Sequence, residues 1–406
     1  MARKKSALSS LIKAFSPPRA RRRRRPASAA SSVSKAVKAS TRAGTRIAKA
    51  AGPKPVPRRA AKTRKPVSKP VSGKTARKVY TRPATARKPA TPAPSATGKG
   101  SWRQARFTGA AGTRAYRVYV PTGLGRTGKV PMLLALHGCG QNALDFAAGT
   151  RFNDVADKHK FIVVYPEQGV THNGQRCWNW FRSTHQFRAQ GEPAILAGIV
   201  RRVSQDTSKF RIDTERIYVA GISAGGAMAV VLAATYPELF AAIGVHSAPP
   251  YRSASGPVDA LSAMQGRTLQ PHIENAATAA MPPMIVFQGS SDSTVRSVNA
   301  QRIADQWVAF HDHDSTEAIG RPRSASTAPG RPGSTRSRRG YRVSRWYSGG
   351  RKVLEVWVVS GLGHAWSGGS PKGSYSDSRG PRATTEMWKF FSANRSAAAN
   401  AEILVS

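Results

Sequence analysis

Gly221-Ile222-Ser223-Ala224-Gly225 constrains this chain more than any other stretch. Before it runs the apolar segment Arg216–Ala220, and after it comes a run of small and apolar residues, Gly226–Ala234. Strand, sharp turn and helix in that order form the context in which G-x-S-x-G presents a serine as a nucleophile. The turn is so tight that the flanking side chains must nearly vanish, hence glycine two residues to either side. The serine then stands at the mouth of a sheet, and the helix N-terminus beneath it favours developing negative charge. With 36 glycines in 406 residues, however, one such match can arise by chance. Its partners must decide.

Charge divides the chain in two. Residues 1–100 hold 29 of the 65 Lys and Arg and none of the 20 Asp and Glu, so this segment carries +29 and the remainder +16. The first acidic residue is Asp145. A segment of Ala, Pro, Ser, Thr, Lys and Arg, with the run Arg21–Arg25, buries too little apolar surface to offset the entropy of ordering, and like charges hold it open. Residues 1–100 are therefore expected to be a disordered basic tail, with short helical tendency at most over Ser32–Ala51. Residues 101–395 are long enough for one large α/β domain. No stretch reaches the roughly 18 apolar residues of a membrane span. Ala7–Ile12 is too short and polar for a signal-peptide core, so the sequence alone reads as cytoplasmic. Two cysteines, Cys139 and Cys177, leave both a single bridge and two free thiols open.

Apolar patterning predicts strands at Arg114–Pro121, Val130–His137, Phe161–Tyr165, Arg216–Ala220, Ala242–His246, Met284–Gln288, Tyr341–Tyr347 and Val353–Val359. Helical spacing fits Phe146–His159, Glu192–Thr207, Ala224–Tyr236, Ser297–Phe310 and Thr384–Phe391. Alternation of the two implies a mostly parallel sheet with helices on both faces. The first two strands, with no helix between them, are expected to pair as an antiparallel edge. Between them Gly123-Leu124-Gly125-Arg126-Thr127-Gly128 satisfies the dinucleotide fingerprint, but a strand rather than a helix follows, so it reads as a hairpin turn. No cofactor is called for.

A serine nucleophile needs a histidine to take its proton and a carboxylate to orient that histidine. In α/β-hydrolases the chain order is Ser, acid, His. Asp292 follows the strand Met284–Gln288 through Gly289-Ser290-Ser291, which places it on the loop at that strand's carboxyl end. His364 sits in the glycine-flanked loop after Val353–Val359. His311 and His313 form a tempting pair, yet a metal would want more ligands nearby and a solvated helix end reads better, so no metal site is expected. His246, near the end of its own strand, reads as core or site wall. The backbone N–H of Ala224, next after the serine, is the first expected oxyanion donor; that of Cys139, in the loop His137-Gly138-Cys139-Gly140-Gln141, is the second.

That loop, the block Cys177-Trp178-Asn179-Trp180-Phe181, the segment Gly221–Met228 and the stretch Gly363-His364-Ala365-Trp366-Ser367-Gly368-Gly369 together resemble the polyhydroxybutyrate (PHB) depolymerase family of esterases, neighbours of feruloyl and acetylxylan esterases. The resemblance covers about Arg114–Phe391. It implies an α/β-hydrolase fold, hydrolysis of short-chain hydroxyalkanoate esters and a Ser223, Asp292, His364 triad. It also suggests that Cys139 and Cys177 are bridged, pinning the oxyanion loop to the aromatic block, and that the protein is extracellular. Trp178, Trp180 and Phe181 are expected either to wall the substrate site or to pack in the core, and Trp366 is expected to wall it. Two features depart from the pattern. Gln288 stands where similar enzymes often have His, and Thr316–Arg339 reads as an inserted flexible loop. A feruloyl- or acetylxylan-type esterase is the alternative within this class. In a different class, the tail is expected to bind nucleic acid or another polyanionic surface by releasing counterions.

Overall fold

The computed structural model describes residues 98–396 apart from 126–127, 207, 209, 268–280, 313–319 and 329–338. The basic tail up to residue 97, with its expected helical tendency, and His313 lie outside the described residues.

Ten strands form one sheet in the order β1-β2-β4-β3-β5-β6-β7-β10-β9-β8. In chain order they are β1 (Ser101–Gly109), β2 (Gly112–Val120), β3 (Lys129–Leu136), β4 (Ile162–Glu167), β5 (Arg211–Ile222), β6 (Ala242–His246), β7 (Met284–Gly289), β8 (Gly320–Ala328), β9 (Tyr341–Ser348) and β10 (Arg351–Val359). The six central strands, β4 through β10 in sheet order, are parallel. Antiparallel strands close both edges. A two-stranded parallel ribbon, β11 (Trp366–Ser367) with β12 (Ser376–Asp377), lies apart from this sheet. The helices are α1 (Ala143–Thr150), α2 (Phe152–His159), α3 (Gly191–Gln205), α4 (Ala224–Thr235), α5 (Pro257–Met264), α6 (Val298–Asp312) and α7 (Ala383–Ser392).

Side chains of a strand alternate between the two faces, so a doubly covered sheet needs apolar residues at every central position. Met132, Leu134 and Leu136 of β3 and Ile217 and Val219 of β5 pack on one face with α3, α4, α5 and α6. Leu133, Ala135, Tyr218 and Ala220 face the other way and pack with α1, α2 and α7, where Phe161 stacks on Trp388 at 3.9 Å and Tyr218 on Phe391 at 5.0 Å. Helix α4 is buried along its whole length, which its run of small residues permits.

Four expectations need correction. β2 does not pair with β3; β4 lies between them, so no hairpin joins the two strands. β2 instead folds back on β1, a strand too polar to register as apolar alternation. The helix expected over Phe146–His159 breaks at Arg151, whose left-handed φ of 60° caps α1 and starts α2. The stretch Thr316–Arg339 is not wholly a loop, because Gly320–Ala328 forms the outermost strand. Pro322 is tolerated there because an edge strand leaves one row of backbone groups unpaired.

Candidate active site

Ser223 ends the turn from β5 into α4 with φ 56° and ψ −121°, a conformation costly for a residue bearing a Cβ. Its neighbours enforce that turn. A Cβ on Gly225 would sit 2.2 Å from the Leu136 carbonyl oxygen, and one on Gly221 would sit 2.4 Å from the Gly225 backbone. The Ser223 N–H donates to the His246 carbonyl at 2.9 Å, tying the turn to the end of β6. The amide of Ala224 belongs to the first turn of α4, whose N–H groups have no intrahelical acceptor.

Asp292 and His364 meet although 72 residues separate them: His364 Nδ1 lies 2.8 Å from Asp292 Oδ2. Adjacent parallel strands account for the meeting. β7 and β10 run side by side to the pair Gly289 and Val359, and the loop carrying His364 then crosses over Gly289. A Cβ on Gly289 would lie 2.2 Å from the Leu362 carbonyl, so glycine is what lets the loop pass. Asp292 Oδ1 accepts from the Thr294 and Val295 amides, both at 2.9 Å. Burial pushes the Asp292 carboxyl up, but the His364 contact, the Val295 amide and the Ser247 hydroxyl outweigh it and hold the group below the usual range. An ionised Asp292 accepts only, so His364 Nδ1 carries the proton and leaves Nε2 free to accept one.

Behind this pair lies a polar chain that sequence reasoning missed. The Ser367 N–H donates to His246 Nε2 at 3.0 Å, so His246 Nδ1 bears the proton and donates to Ser247 Oγ at 3.1 Å. The Ser247 hydroxyl in turn lies near Asp292 and favours its charged form. His246 is fully buried, and burial lowers its pKa to about 3, so it is neutral. Core or site wall was the expectation for His246; the structure makes it a link to the acid. Gln288 donates to the Val295 carbonyl at 2.9 Å and more weakly to Asp292 at 3.4 Å, bracing the same loop.

The loop after β3 packs on the serine turn, for a Cβ on Gly138 would lie 3.2 Å from the Ile222 side chain. Cys139 is bonded to Cys177, and Gly140 N–H donates to the Gln175 carbonyl at 2.7 Å, so this loop is fastened to the segment before the aromatic block. A buried polar cluster holds that segment from beneath. Arg114 pairs with Glu192 at 2.9 Å, and Gln168 bonds to Arg114, Glu192 and the Cys177 carbonyl. The Gln168 N–H donates to His137 Nε2 at 3.0 Å, and Trp178 Nε1–H to the His137 carbonyl at 3.1 Å. Burial opposes a charged Glu192, yet its hydrogen bonds and the Arg114 guanidinium lower its pKa to about 2. Arg114 and Glu192 lie 78 residues apart and belong to no motif, which is why the sequence gives no sign of the cluster.

Of the two readings of the aromatic block the structure shows the core one, and the wall expected at Trp366 is corrected. Trp178, Trp180, Phe181 and Trp366 are all interior, at 0%, 4%, 1% and 1% exposure. Trp366 stacks on His246 at 5.0 Å and meets Phe146 and Phe152 edge-on, and Trp180 meets Phe181 edge-on, so these rings build the walls' support rather than their surface. Among the described residues no group of three His, Cys, Asp or Glu is placed to hold a metal ion. Nor is any helix long and apolar enough to cross a membrane.

The chain is similar to known esterases. A poly(3-hydroxyalkanoate) depolymerase C from Paucimonas lemoignei is 30% identical over 260 residues, a match spanning 61% of this chain and 57% of that protein. Feruloyl esterase B of Neurospora crassa is 30% identical over 203 residues, covering 47% and 67% of the two chains. The chain thus spans between half and two thirds of the length of these relatives. Among solved structures, an acetyl xylan esterase from Aspergillus awamori superimposes with a TM-score of 0.53 at 22% identity over 65% of this chain and 94% of that one, which shows the α/β-hydrolase fold. The family model described as esterase PHB depolymerase matches residues 114–328, more than half of the chain, including Ser223 and Asp292. With the family model matched over more than half of its length, the chain belongs to the esterase PHB depolymerase family.

Proposed function

We propose that the protein is a serine carboxylic-ester hydrolase acting on poly- or oligo-(3-hydroxybutyrate) or similar short-chain hydroxyalkanoate esters. The observation that carries this reading is the 2.8 Å contact of His364 Nδ1 with an ionised Asp292, at the same end of the sheet as the strained Ser223. His364 Nε2 takes the Ser223 proton as Oγ attacks the ester carbonyl, and Asp292 stabilises the imidazolium. The tetrahedral oxyanion lies between the Ala224 and Cys139 N–H groups. His364 returns its proton to the leaving alkoxide, which departs as the alcohol and leaves an acyl-serine. Water, deprotonated by His364, attacks that acyl group, and Ser223 regains its proton as the acid leaves. The Cys139–Cys177 bridge suits an oxidising compartment, in keeping with an extracellular enzyme.

Ser223→Ala should abolish p-nitrophenyl butyrate hydrolysis while leaving the fold intact; appreciable residual turnover excludes Ser223 as nucleophile. A panel of hydroxybutyrate oligomers, feruloyl esters and acetylated xylan ranks the substrates. Preference for either of the latter two replaces the hydroxyalkanoate reading with the feruloyl- or acetylxylan-type one. The +29 of residues 1–100 supports a second reading, in which the tail tethers the enzyme to nucleic acid or another polyanion. Full-length protein should then be retained on DNA in a steeply salt-dependent way, and a chain starting near Gly100 should lose retention but keep soluble-ester turnover.

A further inference from the structure

With the four candidate wall aromatics buried, the site needs another apolar surface for the substrate's carbon chain. Tyr375 is placed to be that surface. Its side chain is 49% exposed, and its ring stands edge-on to His364 with centroids 6.2 Å apart. Val170, Phe187, Val258 and Val298 are the other large exposed apolar side chains among the described residues, and none has a ring contact with His364.

Tyr375 also sits at φ 51°, in the left-handed region where an aromatic residue costs about 1–2 kcal/mol. Both flanks hold it there. On one side, Ser374 N–H donates to Asp145 Oδ1 at 2.8 Å, its hydroxyl bonds to Asp145 Oδ2, and its carbonyl accepts from Gln141 Nε2 at 3.2 Å. Gln141 belongs to the oxyanion loop and accepts the Gly138 N–H at 2.9 Å. On the other side, the Trp366 N–H donates to the Tyr375 carbonyl at 2.6 Å, and Ser376 pairs with Trp366 in the small ribbon. One neighbour is thereby fixed to the oxyanion loop and the other to the strand just after His364. An exposed ring recovers little by internal packing, so the fold maintains a strained backbone in order to present that ring beside the imidazole.

We propose that Tyr375 is a specificity residue whose ring forms the apolar wall for the alcohol portion of the ester. The side is chosen by chemistry. His364 delivers its proton to the departing alkoxide, so the alcohol portion lies toward His364, while the acyl portion stays on Ser223. In an oligomeric hydroxyalkanoate the alcohol portion is the next hydroxyacid unit, whose carbon chain would lie on the ring. This inference rests on the serine-esterase reading.

The test holds the acyl group constant and lengthens the alcohol. Hexyl butyrate and ethyl butyrate have similar leaving groups and differ only in reach. In Tyr375→Gly, which suits the positive φ, the ratio of kcat/KM for hexyl over ethyl butyrate should fall about tenfold. Tyr375→Phe should keep the ratio near that of the parent. The ratio for ethyl hexanoate over ethyl butyrate, which probes the acyl side, should stay constant in both. An unchanged alcohol ratio in a folded Tyr375→Gly protein, or a shift in the acyl ratio instead, overturns the assignment. If Ser223→Ala is inactive while the Tyr375 variants keep the parent ratio, this inference alone fails; if Ser223→Ala retains turnover, the underlying reading fails.

Discussion

Ser247→Gly tests whether the polar chain behind Asp292 matters to turnover. The substitution removes the hydroxyl that favours the charged form of Asp292 and accepts from His246 Nδ1. A hydrogen bond to a charged group contributes about 1.5–3 kcal/mol, and the stranded His246 N–H, fully buried, costs about 1–3 kcal/mol more. Against this, Ser247 has φ 50°, and glycine relieves a left-handed backbone worth about 1 kcal/mol. The net loss of about 1.5–5 kcal/mol lies at or below the 5–15 kcal/mol of a typical domain, so the variant should fold. If half of that 1.5–3 kcal/mol is expressed in the transition state, kcat falls about three- to twelvefold, since 1.4 kcal/mol is a factor of ten. KM should hold, because Ser247 is buried and touches no substrate. Ser247→Ala lacks the same hydroxyl without the backbone relief, so it should match the glycine variant in kcat while melting lower. Steady-state kinetics on p-nitrophenyl butyrate and thermal melts of both variants provide the comparison. A folded Ser247→Gly protein with parental kcat, or a kcat that tracks Tm across the pair, refutes the reasoning.

Acid should weaken the fold through buried histidines. Burial lowers His137 to about 4 and His246 to about 3, from an unfolded value near 6.5. Their folded pKa values are depressed, so their stabilisation is fully present above pH 6.5 and is lost as pH falls from 6.5 toward 4 for His137 and toward 3 for His246. Each costs about 1.4 kcal/mol per pH unit there. Urea midpoints should therefore drop steeply between pH 6.5 and 5, and a flat profile contradicts the assignment of both rings as neutral. Opening the Cys139–Cys177 bridge frees a loop of 38 residues, about 4 kcal/mol in the chain-entropy view. The double serine variant should melt well below the parent and lose at least tenfold in kcat, because one oxyanion donor loses its anchor; parental kcat in a folded variant argues against Cys139 N–H in that role.

Local chemistry explains what could be read from the sequence. Gly221, Gly225 and Gly289 mark places where a Cβ would strike backbone, and such prohibitions are written in single residues. Likewise the acid and histidine stand at the ends of strongly apolar strands, β7 and β10, so strand order in the chain placed them on the same edge. What escaped was either polar or nonlocal. β1 alternates too weakly to stand out, and its pairing partner supplies most of the reason it is a strand. Ser247 and His246 matter through neighbours 45 and 121 residues away, distances at which no spacing rule operates. The aromatic block left two readings open because a tryptophan beside a cysteine looks the same in sequence whether its ring faces substrate or core. Tyr375 was hidden for a converse reason: nothing in Gly373-Ser374-Tyr375-Ser376 signals a left-handed backbone held from both sides.

Covalent trapping of Ser223 tests the central claim most directly. An alkyl p-nitrophenyl phosphonate is attacked by an activated serine and stays attached, releasing one equivalent of nitrophenolate. Intact-mass and peptide mapping of the treated full-length protein should show one adduct, on the peptide containing Ser223. It should be absent from Ser223→Ala and form far more slowly in His364→Ala. An adduct on another residue, or equal labelling with and without His364, would contradict a nucleophile at Ser223 activated by the Asp292–His364 pair.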